Sequence, residues 1–159
     1  MHVTIEYMIL IPILILQIFL FPMLVSAEMN QWIGERQSLE LQTAASYFGS
    51  SIQQIYLSLN HTSILSCTLQ NNLNNQPTIE GHAYTGNATL QTVTNPNADT
   101  SEVLTITLNL VGTNIKESTT VMLGQNAAWT NSTFVSNPPT AVIIAQKFPN
   151  QTIQLSLGT

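Results

Sequence analysis

An apolar run from Met8 to Ala27 constrains this chain more than any other feature of its sequence. Gln17 is the only strongly polar side chain in the run. At a rise of about 1.5 Å per residue, a helix over these residues is ~30 Å long, which is the thickness of the hydrocarbon core of a bilayer. The run therefore predicts a helix that can span a membrane.

A cleavable signal peptide is the alternative interpretation of the same run. Val25-Ser26-Ala27 supplies the small residues that a signal peptidase requires before its cut, here ahead of Glu28. However, no Lys or Arg precedes the run, and the run exceeds the ~7–15 apolar residues of an ordinary signal. A simple anchor also needs positive flanking charge to set its orientation. We therefore expect a basic leader to precede this segment in the precursor.

A helical pattern continues beyond Ala27. Residues that are apolar, apart from Gln37, recur at spacings of three and four, at Ile33, Gln37, Leu41, Ala44, Phe48, Ile52, Ile55 and Leu59. Such spacing is typical of one face of an amphipathic helix. The sequence predicts one helix from about Thr4 to Leu59, apolar over 8–27 and amphipathic over 28–59. Pro12 and Pro22 each remove a hydrogen bond and are expected to bend it locally.

From Asn60 onward the hydrophobic period changes to two. The change is plainest in Leu104-Thr105-Ile106-Thr107-Leu108 and in Ile153-Gln154-Leu155-Ser156-Leu157, which is typical of half-buried strands. The predicted strands are 63–69, 79–85, 88–94, 102–112, 118–123, 140–147 and 152–158. The Asn-rich stretch 70–76 is predicted to be a loop.

These patterns together predict an α+β fold. A long N-terminal helix, residues 1–59, packs its amphipathic part on a C-terminal antiparallel β-sheet or β-sandwich domain, residues 60–159. The stripe on the helix is the expected cover for the apolar face of the sheet.

Composition excludes several classes of partner and fold. Charged residues are 7% of the chain, with 3 Lys and Arg against 8 Asp and Glu. Because there is no basic patch to neutralise phosphates, nucleic acid is not an expected partner. Cys67 is the single cysteine, so an intrachain disulfide scaffold is excluded. We interpret Cys67 as a small buried apolar side chain.

The sequence offers little for catalysis or metal binding. His2, His61 and His82 lie far apart, and no pair of metal-ligand residues has a recognised spacing. Glu80 and His82 would share a face of a predicted strand and could make a weak site, but we interpret them as an exposed polar face. Asp99 falls in a turn-like stretch. We expect no enzyme activity, no catalytic residue, no metal site and no cofactor.

Four Asn-x-Ser/Thr sequons follow the predicted helix. They begin at Asn60, Asn87, Asn131 and Asn150. Their common location on the predicted outer domain indicates possible N-linked glycosylation and an extracellular surface.

The stretch Ile5-Glu6-Tyr7-Met8-Ile9-Leu10-Ile11-Pro12 resembles the N-terminal signature of type IV pilin-like proteins. In that superfamily a leader is clipped so that a glutamate stands four residues after the new N-terminus, which here corresponds to processing at His2. Glutamate followed by proline six residues later also resembles TadE-type pseudopilins, with Pro12 in that place. The long helix followed by a weakly charged β domain resembles archaeal pilins.

The resemblance implies a subunit of an extracellular filament. The subunit would be inserted in the membrane before assembly and would then polymerise with copies of itself through the N-terminal helices, leaving the β domain outside. Glu6 would pair with the free α-amino group of an adjacent subunit, because a carboxylate among apolar helices is costly unless paired. Pro12 and Pro22 would bend the packed helix. Alternatively, Glu6 interacts only with the positive N-terminal end of its own helix.

Two functions from other classes remain open on the sequence alone. One is a secreted or anchored surface module for adhesion or binding, with the N-terminal segment serving as its signal. The other is a single-pass accessory subunit of a membrane complex, in which Glu6 and Gln17 pair with partner helices.

Overall fold

The computed structural model describes residues 2–72, 76–94, 100–130, 132–136 and 142–158, with side chains from residue 8 onward. One helix precedes eight strands. These are α1 (His2–Leu59), β1 (Cys67–Asn72), β2 (Tyr84–Val93), β3 (Ser101–Leu110), β4 (Lys116–Leu123), β5 (Ala127–Trp129), β6 (Thr133–Val135), β7 (Val142–Lys147) and β8 (Ile153–Gly158). The chain divides into two compact units, Met1–Arg36 and Gln37–Thr159.

The strands form two four-stranded sheets. The first sheet has the order β1-β7-β8-β5 and the second sheet has the order β4-β3-β2-β6. All pairings are antiparallel except that of β5 with β8, which is parallel. The predicted α+β class is confirmed: a long N-terminal helix packs on two largely antiparallel sheets.

The core of the larger unit lies between α1 and the inner faces of the sheets. Seven stripe positions of the helix from Gln37 to Leu59 are buried, as the spacing predicts. The ring of Phe48 stacks on Phe134 of β6 with centroids 4.9 Å apart, and Tyr84 of β2 meets Phe134 edge to face at 6.2 Å. Such aromatic contacts add to the free energy of area burial and join the helix to the second sheet.

Two hydrogen bonds fix the end of the helix and the turn that follows it. The backbone N–H of Asn60 donates to the Tyr56 carbonyl oxygen at 2.8 Å. Lys147 of β7 is 1% exposed, and its Nζ donates to the His61 carbonyl oxygen at 2.9 Å. A positive charge near the C-terminal end of a helix is favourable because it opposes the helix dipole.

The helix prediction is confirmed except for one stripe position. The described residues contain a single helix, and its last residue is Leu59. It runs through both Pro12 and Pro22. Ile33, which the spacing placed on the buried stripe, is 42% exposed and belongs to the smaller unit. The stripe therefore begins at Gln37.

Several predicted strand limits were wrong. The first strand begins at Cys67 rather than at residue 63 and continues to Asn72, so part of the predicted Asn-rich loop is strand. The predicted strands 79–85 and 88–94 are replaced by the single strand β2. Strands β5 and β6 were not predicted.

The segment around Glu80 and His82 is a turn and not a strand. Ile79 and His82 form an isolated antiparallel bridge, and Glu80 and Gly81 between them have φ angles of 48° and 84°. His82 Nδ1 lies 3.2 Å from the carbonyl oxygen of Val111. The predicted shared strand face for Glu80 and His82 is therefore wrong.

A candidate assembly segment

The smaller unit exposes apolar side chains around the whole circumference of the helix. Every described residue from Met8 to Ala27 is exposed, including Phe19 at 75% and Phe21 at 70%. A helix that is apolar on all sides needs a membrane or other protein segments around it. We call residues 8–27 the apolar segment.

By length and composition, the helix that contains the apolar segment can cross a membrane. A signal sequence near an N-terminus meets the same description. One polar side chain of the segment is bonded within the helix itself. Ser26 donates its hydroxyl to the carbonyl oxygen of Pro22 at 2.7 Å, so this hydroxyl has a partner without water.

In the larger unit, the outward face of the helix also exposes apolar side chains, but fewer of them. Leu39, Tyr47 and Leu57 are 64%, 44% and 61% exposed. The hydroxyls of Thr43, Ser50 and Ser58 each donate to a carbonyl oxygen of the helix itself, at 2.7 to 2.9 Å. No Asp, Glu, Lys or Arg occurs from residue 41 to 79. From residue 41 onward this face therefore carries no charged side chain, and the hydroxyls of these three residues are bonded within the helix. Glu40 lies next to Leu39 at the start of the face.

The structure places the other predicted site residues as follows. The backbones of His2 and Glu6 lie in the first turns of α1, but their side chains are outside the described part, so the pairing of Glu6 stays a prediction. Asn60 lies just after the helix, Asn87 in β2 and Asn150 in the turn between β7 and β8, and all three are exposed. Asn131 and Asp99 lie outside the described residues.

Neither metal nor thiol chemistry gains support from the fold. Within the described residues there is no cluster of His, Cys, Asp or Glu able to hold a metal ion. Cys67 is half-buried and packs against the core, so it is less buried than the sequence predicts.

The sequence analysis did not predict the outward face of the helix in the larger unit, which includes Leu39, Tyr47 and Leu57. Leu39, Tyr47 and Leu57 do not follow the buried stripe, and exposed apolar residues are common on any surface. The signal that could have found this face is the absence of charge from residue 41 onward.

Comparison of the chain with protein-family models, with curated proteins and with solved structures finds no match.

Proposed function

We propose that this protein is a structural subunit of an extracellular filament of the type IV pilus kind. Copies associate through their apolar segments, and the β domains form the outside. The observation that carries the proposal is the apolar segment itself, which is exposed on all sides and begins two residues after Glu6. A filament core of packed helices removes this surface from water, as does the membrane before assembly.

The outward face of the helix in the larger unit, which carries no charged side chain after Glu40, supports the same proposal. A neighbouring subunit can cover Leu39, Tyr47 and Leu57 without burying an unpaired charge. The bonded hydroxyls of Thr43, Ser50 and Ser58 lose little when water is removed.

Anchoring by a single membrane-spanning helix, without polymerisation, would use the apolar segment in a different way. It leaves the outward face of the larger unit in water and gives Glu6 no partner from a second copy. A secreted module would lose the apolar segment by cleavage after Ala27. Such cleavage removes no residue of the larger unit, Gln37–Thr159. The fold of the larger unit alone therefore does not distinguish a secreted module from a filament subunit.

The test is to shear the surface of the native cells and to identify the N-terminal peptide of this protein in the sheared fraction by mass spectrometry. We expect filaments in electron micrographs of that fraction and an N-terminal peptide that begins at or near His2. A protein that begins at Glu28 would overturn the proposal and favour the secreted module. A full-length protein found only in membranes, with fixed partners after detergent extraction, would favour the accessory subunit.

A further inference from the structure

The second sheet has an outer face that is polar and nearly uncharged. Alternate side chains of β3, such as Leu104, Ile106 and Leu108, are buried in the core. The intervening side chains point to the opposite face because residues alternate along a strand. That face contains a hollow of about 280 Å³, lined by Thr85, Asn87, Thr107, Asn109, Lys116 and Thr133.

The register of the strands assembles this hollow. Asn87 of β2 is paired with Thr107 of β3 on one side and with Thr133 of β6 on the other. One step along the sheet, Asn109 is paired with Lys116 of β4. Asn87 therefore lies between two threonines, with an amide and an ammonium group close by.

Asn87 is also the first residue of a sequon, and the sequon is presented on this outer face. Asn87 and Thr89 are both exposed and are two residues apart on one strand, so their side chains point the same way. Within the described residues, no hydrogen bond is formed by the side chain of Asn87. By contrast, Asn60 Oδ1 accepts from Asn126 Nδ2 at 2.9 Å, and Asn150 Oδ1 accepts from the Thr152 N–H at 3.1 Å.

The groups around the hollow match the hydroxyl and acetamido groups of an amino sugar. The hydroxyls of Thr107 and Thr133 can both donate and accept hydrogen bonds, and Lys116 donates. The hydroxyl of Thr85 donates to the carbonyl oxygen of Asn109 at 3.5 Å and can still accept. The amide of Asn109 has spare capacity, because its Oδ1 is buried without a partner in the described part of the chain.

The hollow is poorly suited to a free sugar. It is lined by no aromatic ring on which a sugar could stack and by no carboxylate that could accept hydrogen bonds from sugar hydroxyls. A sugar that is covalently attached at the edge of the hollow does not need such affinity, because the attachment gives it a high effective concentration there. These observations favour a glycan of the chain itself as the occupant.

We propose that Asn87 carries an N-linked glycan and that the first sugar of this glycan lies in the hollow, hydrogen-bonded to the threonines, Asn109 and Lys116. The glycan would then cover the outer face of β2 and β3 rather than extend freely from it. This inference rests on the extracellular location in the proposed function and not on polymerisation.

The first test asks whether Asn87 is modified. The full chain is isolated from the envelope of its native cells as wild type and as the variants Asn87→Gln, Asn60→Gln and Asn150→Gln, and the glycopeptides are identified by mass spectrometry. We expect a glycan on the peptide containing Asn87, absent from Asn87→Gln and retained in the other two variants. An unmodified Asn87 peptide in the wild-type protein overturns the proposal.

The second test asks where the glycan lies. Thr107→Val removes a hydroxyl in the hollow, and Thr120→Val removes an exposed hydroxyl elsewhere on the same face. In glycosylated protein, we expect Thr107→Val to lower the Tm by roughly 2–4 °C and Thr120→Val to have no such effect. In the Asn87→Gln background, and in chain from a host that does not glycosylate asparagine, the effect of Thr107→Val should disappear.

An equal effect of Thr107→Val with and without the glycan contradicts the seated sugar, even if Asn87 is modified. Electron micrographs of the same cells separate this outcome from failure of the proposed function. Filaments with an unmodified Asn87 overturn only the glycan proposal. A modified Asn87 on a protein that forms no filaments overturns only the filament proposal.

Discussion

The hydroxyl of Tyr56 donates a hydrogen bond of 2.6 Å to Oδ1 of Asn126. The same hydroxyl accepts from the backbone N–H of Gly124 at 2.9 Å. Asn126 Nδ2 in turn donates to Asn60 Oδ1 and to the carbonyl oxygen of Gln151, at 2.9 and 3.0 Å. This network joins the end of α1, the connection from β4 to β5 and the turn before β8.

Asn126→Ala should destabilise the larger unit by about 1–3 kcal/mol, because it removes three side-chain hydrogen bonds and leaves the Tyr56 hydroxyl without its acceptor. Urea denaturation of the detergent-solubilised full chain, followed by near-UV circular dichroism, measures the change. Gln125→Ala at the exposed neighbouring position is the control and should stay within about 0.5 kcal/mol of wild type. Equal midpoints for the two variants would show that the network adds nothing to stability.

The pKa of Tyr56 predicts a loss of stability in alkaline solution. Burial raises the pKa of this hydroxyl above its usual value, and the hydrogen bond from Gly124 partly opposes the rise. Because the folded state holds the proton more tightly than the unfolded chain, this contribution is complete below about pH 10 and is lost as pH rises through the folded pKa. The free energy of unfolding of the wild type should therefore fall above that pH.

Tyr56→Phe isolates the contribution of this one group from the other groups that titrate in the same range. The variant should be less stable at pH 7, since it loses both hydrogen bonds of the hydroxyl. The stability difference between wild type and variant should then shrink between about pH 10 and pH 12. A difference that stays constant over this range would contradict the raised pKa.

Gly86→Ala should destabilise the second sheet, since a Cβ at this position would overlap the ring of Phe134 and approach the side chain of Leu108. Overpacking of a core of this kind costs about 1–3 kcal/mol. Phe134→Ala in the same chain removes the obstacle, so the double variant should lose less stability than the sum of the two single variants. Additive losses, measured by the same denaturation, would show that the ring moves aside without cost.

Gly86 also explains a specific failure of the sequence prediction. The sequence predicts two strands, 79–85 and 88–94, with Gly-Asn at 86–87 between them. In the structure, β2 continues through these two residues from Tyr84 to Val93. The glycine is there because Phe134, from a strand 48 residues later, packs over it. Only the tertiary structure shows this requirement, since a local pattern cannot report a contact at that separation.

Long periodic segments were predicted well, and short or non-local ones were not. The stripe ending at Leu59 extends over many turns, so its period and its end are plain in the sequence. Strands β5 and β6 have three residues each, which is too few to establish a period of two. Lys147 occupies a core position of β7 after Ile143 and Ala145. A charged residue is not expected to be buried, and its hydrogen-bond partner, the His61 carbonyl oxygen, is too remote in sequence for a local pattern to indicate it.

The apolar segment was predicted from the sequence, and the hollow at Asn87 was not. A run of apolar residues can be recognised in the sequence without knowledge of the fold. The hollow depends instead on the register that sets Asn87 beside Thr107 and Thr133, and residues from three strands must be aligned before it exists.

The last prediction concerns Glu6 and tests the proposed assembly. Glu6→Gln keeps the size of the side chain and removes its charge, so it cannot form an ion pair with the α-amino group of an adjacent subunit. We expect the subunit to be inserted in membranes at normal abundance and filaments to be lost from the sheared surface fraction, because an ion pair among apolar helices loses its favourable energy when one partner is neutral. Glu6→Ala should have the same result.

Glu28→Gln provides the matched control, since Glu28 is an exposed carboxylate on the same helix just beyond the apolar segment. This variant should form filaments normally, because its carboxylate does not need a partner in an apolar core. Quantitative immunoblots of membrane and sheared fractions, together with electron microscopy, compare the three variants with wild type. Normal filaments from Glu6→Gln would show that Glu6 interacts only with its own helix end, and the intersubunit pair would have to be abandoned.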